Sequence, residues 1–313
     1  MPCAGRTVAP RPRWSGWGTG GRNRASLNVR GHRLSDPPRG DGGVGQVNDI
    51  GTQGRRTLKM RSKAFTLIEL LVVIAIIAIL MAVLMPSLNL ARDHAKRVHC
   101  VSNTKTLALG WYMYQDEFGG RLVPAHTLNS PIQWVGQEPA TGTWDQKKDS
   151  IRRGLIFPYV GHSVEIFRCP ADKRRPTASR PVAFRTFSIV GGANGEDWGD
   201  YNKATRYSEI KTPAMKYVLV EEADTRGYNM GSWQMYPRNR TWTDPVAMWH
   251  NKRTTLGFAD GHAEMREWKD RYFIEWNLKA MYGEPFTFGL TPPSDAQTDI
   301  DYMAKGFACK SFK

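Results

Sequence analysis

Lys63-Ala64-Phe65-Thr66-Leu67-Ile68-Glu69-Leu70-Leu71-Val72-Val73-Ile74-Ala75-Ile76-Ile77-Ala78-Ile79-Leu80-Met81-Ala82-Val83-Leu84-Met85-Pro86 decides how this chain is read. Between Phe65 and Met85 the only charged residue is Glu69. As a helix, that run spans roughly 31 Å at about 1.5 Å per residue, the thickness of a hydrocarbon core. A core helix of a soluble protein shows one apolar stripe, whereas this run is apolar on every face for about six turns. The stretch therefore predicts a membrane crossing. Glu69 lies a little over one turn inside it, where a carboxylate is costly unless it snorkels to the interface or has a cation nearby. A cut between Ala64 and Phe65 would supply such a cation, the α-amino group of Phe65, and would put Glu69 at mature position five. In a staggered bundle of identical helices, Glu69 of one subunit then meets the Phe65 amine of the next.

The residues before the run read differently. Residues 1 to 59 carry ten Arg and one Lys against three Asp, are rich in Gly and Pro, and show neither helical nor strand periodicity. Such a segment cannot bury enough apolar surface to offset its chain entropy, so residues 1–64 are expected to be a disordered extension and leader, with Met60 as a candidate true start. Met60-Arg61-Ser62-Lys63-Ala64 would by itself make a short basic leader. Of the formal charge of +15, residues 1–59 hold +8 and residues 60–64 hold +2, which leaves +5 from Phe65 onward. The high overall charge would suggest nucleic acid, but most of it lies ahead of the cut, and no nucleic-acid partner is expected. Arg55, Arg56, Lys59, Arg61 and Lys63 instead favour a cytoplasmic N-terminus and an exported C-terminal part.

Beyond Pro86, the residues Leu88, Ala91, Ala95, Val98, Val101, Ala108 and Trp111 recur largely at helical spacing. They predict that the helix continues, bent or locally opened at Pro86, as an amphipathic half over 87–118 that packs on a globular head at 119–313. Gly119-Gly120 should end it. Candidate strands in the head are 182–190, 217–221, 254–259 and 262–266, the last two joined by Asp260-Gly261 as a two-residue type I′ turn with positive φ at both positions. Residues 191–200 and 227–244 read as long loops. The expected fold class is α+β, a long transmembrane and amphipathic helix (span 65–86) packed on a head with an antiparallel β-sheet.

Ala64-Phe65-Thr66-Leu67-Ile68-Glu69-Leu70-Leu71-Val72-Val73-Ile74 resembles the cleavage and methylation segment of type IV pilins and type II secretion pseudopilins, with Pro86 at mature position 22. The resemblance implies that a prepilin peptidase cuts between Ala64 and Phe65 and N-methylates Phe65, and that Glu69 serves assembly. It implies as partners other pilin or pseudopilin subunits, an inner-membrane assembly platform and the lipid bilayer. The family usually has Gly where this chain has Ala64. His250, nine residues and then Asp260-Gly261 resemble the H-X9-DG signature of many pilin-like proteins, and Phe167-Arg168-Cys169-Pro170-Ala171-Asp172 resembles their Cys-Pro-x-Asp segment. The family implies a structural subunit of a secretion or pilus-like filament rather than an enzyme.

Read as chemistry, His250, Asp260 and His262 offer two imidazoles and a carboxylate but match no metal-ligand spacing, and no metal or cofactor is expected. Glu196, Asp197, Asp200, Glu221, Glu222 and Asp224 are acidic candidates for Ca²⁺ without EF-hand spacing. No nucleophile elbow, P-loop or zincin helix is present. Three cysteines follow the cut. A Cys100–Cys169 bond would tie helix to head and be worth about 4 kcal/mol in the chain-entropy model. Cys169–Cys309 fits the sequence equally, as do free buried thiols. A membrane-tethered binding module, carbohydrate-binding or adhesin-like, with the nine Trp from residue 111 onward, including Trp233, Trp242 and Trp249, as a stacking surface, is the alternative function.

Overall fold

The computed structural model describes residues 66–127, 133–175, 182–223, 231–284 and 286–313. Expectations about the leader, Ala64, Phe65 and Asp224 lie outside the described residues. Helix α1 runs unbroken over Leu67–Glu117. It starts at a capping box: Glu69 N–H donates to Thr66 Oγ1, and Thr66 N–H and Oγ1–H donate to Glu69 Oε2 at 2.9 and 2.8 Å. This reciprocal pair satisfies two donors that a helix start otherwise leaves unpaired. Pro86 sits within the helix and the helical assignment does not open there. The end comes where Gly119 and Gly120 take positive φ, +62° and +79°.

The packed face of α1 is Cys100, Asn103, Thr104, Leu107, Ala108, Trp111, Tyr114 and Gln115, at three- and four-residue steps. This corrects the expectation that packing begins just after Pro86. Leu88 and Val98 are exposed, and the first fully buried side chain is Cys100. The apolar positions between 88 and 98 follow a helical period, but among the described residues no part of the head covers them.

The remaining elements are α2 (Trp144–Arg152), β1 (Phe187–Ile189), β2 (Tyr201–Asn202), β3 (Tyr217–Glu221), β4 (Met235–Tyr236), β5 (Thr241–Trp242), β6 (Arg253–Phe258), β7 (Ala263–Glu267), α3 (Arg271–Tyr282), α4 (Thr298–Gly306) and β8 (Ser311–Phe312). Four of them form an antiparallel sheet in the order β1-β3-β6-β7, and the pairs β2-β8 and β4-β5 stand apart. The fold is α+β, with the C-terminal half of α1 lying on the sheet. Strand β3 is buried along its whole length because α1 covers one face and an aromatic cluster covers the other. A register shift between Tyr217 and Leu219 lets both be buried on different sides. Tyr217 donates its hydroxyl to Met303 O at 2.8 Å beside Phe307 and Trp233, while Leu219 pairs with Gly257 under α1.

Gly257 is where helix and sheet come closest. A Cβ there would lie 3.1 Å from Leu219 Cβ and 3.2 Å from both Ala108 Cβ and Thr104 Cγ2. Gly257→Val should therefore push α1 off β6 and destabilise the chain by about 1–3 kcal/mol, the usual cost of overpacking. A denaturant titration of the detergent-solubilised chain reads this; an unchanged midpoint would mean that the helix does not dock there.

Three local expectations change. Residues 182–186 are irregular, and β1 begins at Phe187. The stretch 227–244 contains the β4-β5 hairpin, whose short strands lack an alternating pattern long enough to announce themselves. The Asp260-Gly261 turn is not type I′: β6 and β7 pair Gly257 with Ala263, Phe258 N–H donates to His262 O at 2.8 Å, and Gly261 N–H donates to Phe258 O at 3.0 Å. The loop is Ala259-Asp260-Gly261, with positive φ at Gly261 alone, +91°. That is a type I turn closed by a bulge glycine. Asp260 holds it by accepting from His262 N–H at 3.2 Å.

Candidate functional site

The outer length of α1 is bare. Leu67, Ile68, Leu70, Ile74, Ile79 and Leu84 are all more than half exposed, and none of the most apolar window is buried against the head. This is the chain's one helix, among the described residues, that is long and apolar enough to cross a membrane. Leu88, Leu90 and Val98 extend the exposed apolar surface past the span. The structure changes the account of Glu69. Its carboxylate has a local hydrogen-bond partner, accepting from the Thr66 N–H and hydroxyl within the same chain.

Where α1 first meets the head, a polar cluster is buried. Glu221 is the last residue of β3, and strand parity from Leu219 turns it toward α1, opposite Thr255 of β6. Cys100 enters from the helix, with Sγ 3.2 Å from Glu221 Oε1 and 3.5 Å from Cys169 Sγ. Cys169 comes from the Cys-Pro-x-Asp segment. Asp172 N–H donates to Cys169 O at 3.1 Å to make the turn, and Ala171 N–H points at Cys169 Sγ at 3.4 Å. The neighbouring Arg168 is locked by Asp172 at 3.0 Å and lies over the Trp144 ring. His250, just ahead of β6, puts Nε2 3.2 Å from Cys169 Sγ and 3.7 Å from Glu221 Oε1. All four side chains are buried.

The charges in this cluster depend on one another. Burial disfavours a charged imidazole, but the contacts with Cys169 and Glu221 outweigh it and raise His250 to about 10. Burial likewise opposes an ionised Glu221, and the hydrogen bond and charge of His250 hold its carboxyl below the usual range all the same. The thiols are pushed the other way by burial, Cys100 to about 11 and Cys169 well above its ordinary value. Without a ligand, the cluster is a buried imidazolium–carboxylate pair beside two neutral thiols.

The predicted residues fall out as follows. Cys100 and Cys169 do come together, but as free thiols rather than a disulfide, since 3.5 Å is well beyond the roughly 2.05 Å of an S–S bond. Cys309 is buried elsewhere, against Gly192. His250, Asp260 and His262 do not assemble. Asp260 and His262 pair with each other at 2.5 Å on the exposed hairpin tip, and β6 holds His250 roughly 20 Å away at about 3.3 Å per residue. His250 is therefore a partner of Cys169 and Glu221 rather than a hairpin cap. The proposed Ca²⁺ acids are dispersed: Glu196 pairs with His126, Asp197 with Lys313, Asp200 accepts from Arg238 N–H, and Glu221 and Glu222 are buried. Trp233 and Trp242 are fully buried, so they are core and not a stacking surface; Trp249 is partly buried against that core. Glu221 is the site residue that sequence reasoning missed: it fell at the end of a candidate strand and was grouped with the acids considered for Ca²⁺, with nothing to link it to Cys100, Cys169 or His250.

No curated protein and no solved structure matches the chain. A family does: the prokaryotic N-terminal methylation motif covers residues 59–85, which takes in the basic flank, the proposed cut and the bare apolar length of α1. The chain thus carries a type IV pilin-like N-terminus, of the kind processed by a prepilin peptidase, on a helix long and apolar enough to cross a membrane that leads into an α+β head.

Proposed function

We propose that this protein is a non-enzymatic structural subunit, a pseudopilin or minor pilin, of a type II secretion or type IV pilus-like filament in the cell envelope. The methylation motif at residues 59–85 carries the reading. The exposed apolar surface of α1 supports it, because Leu88, Leu90 and Val98 lie past a 21-residue span and need cover that neighbouring helices in a filament would give. In this reading prepilin peptidase cuts after Ala64, and the N-terminus faces the cytoplasm with the head exported. The subunit then leaves the bilayer through an inner-membrane assembly platform to join other subunits. His250 and Asp260-Gly261 mark the two ends of one hairpin arm, consistent with the H-X9-DG resemblance. The tethered binding module loses support, since Trp111, Trp134, Trp233, Trp242 and Trp268, five of the nine tryptophans it invoked, are buried in the core.

N-terminal sequencing and intact mass of the protein recovered from membranes test this directly. The mature chain should begin at N-methylated Phe65, and Ala64→Gly should be cleaved at least as fast. Protein that retains residues 60–64 would refute the processing and with it the filament reading.

A further inference from the structure

We propose that Cys100, Cys169, Glu221 and His250 form a closed zinc site that clamps the first packed turn of α1 to the β-sheet. The inference does not depend on the filament reading. Its basis is geometric: the four ligand atoms lie within 4.8 Å of one another, and they come from a helix, a turn, a strand end and the loop before another strand. Bond lengths of about 2.3 Å to sulfur and 2.0 Å to nitrogen or oxygen give a zinc tetrahedron edges of roughly 3.3–3.8 Å. Four of the six edges are 3.5 Å between the sulfurs, 3.2 Å from Cys100 to Glu221, 3.2 Å from Cys169 to His250 and 3.7 Å from His250 to Glu221, and the other two are no longer than 4.8 Å.

The surroundings are those of a ligand set. Glu221 Oε2 is taken by Thr255, whose N–H and hydroxyl donate to it at 2.9 and 3.0 Å, and this leaves Oε1 turned toward the sulfurs. Outer-shell hydrogen bonds of this kind fix a ligating carboxylate in place. Ala171 N–H, aimed at Cys169 Sγ, would stabilise a thiolate. A disulfide would account for the two cysteines but not for a carboxylate and an imidazole brought to the same point inside the core, where each is costly without a partner. Two thiolates and an imidazole select zinc over calcium or magnesium, which prefer oxygen ligands throughout.

Binding breaks no covalent bond between heavy atoms and changes no oxidation state. Zn²⁺ enters, the two thiol protons leave to solvent, and so does the proton on His250 Nε2 when the ring carries one. An open cleft of about 310 Å³ is lined by Cys169 and Pro170; in its wall Lys148 pairs with Glu165 and Arg168 with Asp172, and Arg175 adds a further cation. The placement gives the site a mechanical meaning. Cys100 is where the helix passes from bare to packed, so a tether there lies on the load path between span and head.

The experiment uses the full chain, purified in detergent under reducing conditions and titrated with Zn²⁺ alone. The expected result is one zinc per chain, with X-ray absorption showing two sulfurs at about 2.3 Å and two nitrogen or oxygen neighbours at about 2.0 Å. Co²⁺ in its place should give a thiolate charge-transfer band and visible tetrahedral bands. Cys169→Ser and His250→Gln should lose the metal, while Cys309→Ser, which removes the third buried thiol, should keep it. Thr255→Val, a positioning change outside the ligand set, should weaken zinc roughly tenfold to a hundredfold. Because a ligand variant can misfold, the absorption spectrum of the unaltered chain decides independently. A reduced chain that takes up no zinc, zinc bound without sulfur neighbours, or a Cys100–Cys169 disulfide in protein alkylated directly from the envelope would each overturn the proposal.

Discussion

Glu69→Gln should yield a chain that inserts in the membrane at least as well as the unaltered protein but fails to assemble. The choice of Gln follows from the capping box. Gln at the third helical position can still accept from Thr66, so the helix start is kept and the charge alone is lost. If Glu69 serves as a helix cap, the variant will assemble normally. If it pairs with the Phe65 amine of a neighbouring subunit, removing it leaves that amine uncompensated between apolar helices, and assembled subunit should fall on the order of a hundredfold or more. Single cysteines placed along Leu71 to Leu84, where adjacent spans must touch, would report assembly by crosslinking. Glu69→Ala adds the loss of the cap and should do no better. Efficient crosslinking of Glu69→Gln would remove the charge-pairing account and leave Glu69 a local structural residue.

Trp242→Ala should be the most destabilising single change in the head. The indole is fully buried, stacked on Phe273 at 3.9 Å between ring centroids and edge-on to Trp268 and Trp233 at 6.4 and 6.5 Å. Truncation opens a cavity on the sheet face away from α1, at a cost of about 3–5 kcal/mol. A domain stable by about 5–15 kcal/mol cannot lose that much without a large shift in its denaturation midpoint. Trp242→Phe should cost clearly less, because Trp242 Nε1 has no hydrogen-bond partner among the described residues and its removal strands nothing. Trp198, 41% exposed, is the control: Trp198→Ala should stay within about 0.5 kcal/mol. Guanidinium unfolding followed by tryptophan fluorescence separates the three. If Trp242→Ala unfolded like the unaltered chain while Trp198→Ala did not, the core would be misplaced and an aromatic binding surface would again be worth seeking.

Much of the architecture was legible because its signals are local. The span is a continuous apolar run, the helix stop is a Gly119-Gly120 pair, and the β6-β7 hairpin is marked by Asp260-Gly261 between two short strand-like segments. Each depends on residues within a few positions of one another, which is the range over which hydropathy and turn chemistry act. The errors were local too. The hairpin position was right and its turn type wrong, since two- and three-residue loops both use Asp-Gly and the strand register chooses between them. The helical period after Pro86 was right and its packing wrong, because a period says which residues share a face but not whether anything covers it.

The sequence by itself determined a helix long and apolar enough to cross a membrane, with a pilin-like N-terminus, and an antiparallel hairpin near the far end. Only the tertiary structure decided that Cys100, Cys169, Glu221 and His250 come together. They are 69, 121 and 81 positions apart along the pairs that touch, and nothing in their own neighbourhoods ties them together. Glu221 in particular looked like one acid among several near a loop. Its inward direction follows from the register of β3 on β6 and the irregularity between Tyr217 and Leu219, and a slip of one residue would have turned it to the opposite face. Convergence of distant side chains is set by strand parity and helix docking, which the whole chain fixes together when it folds.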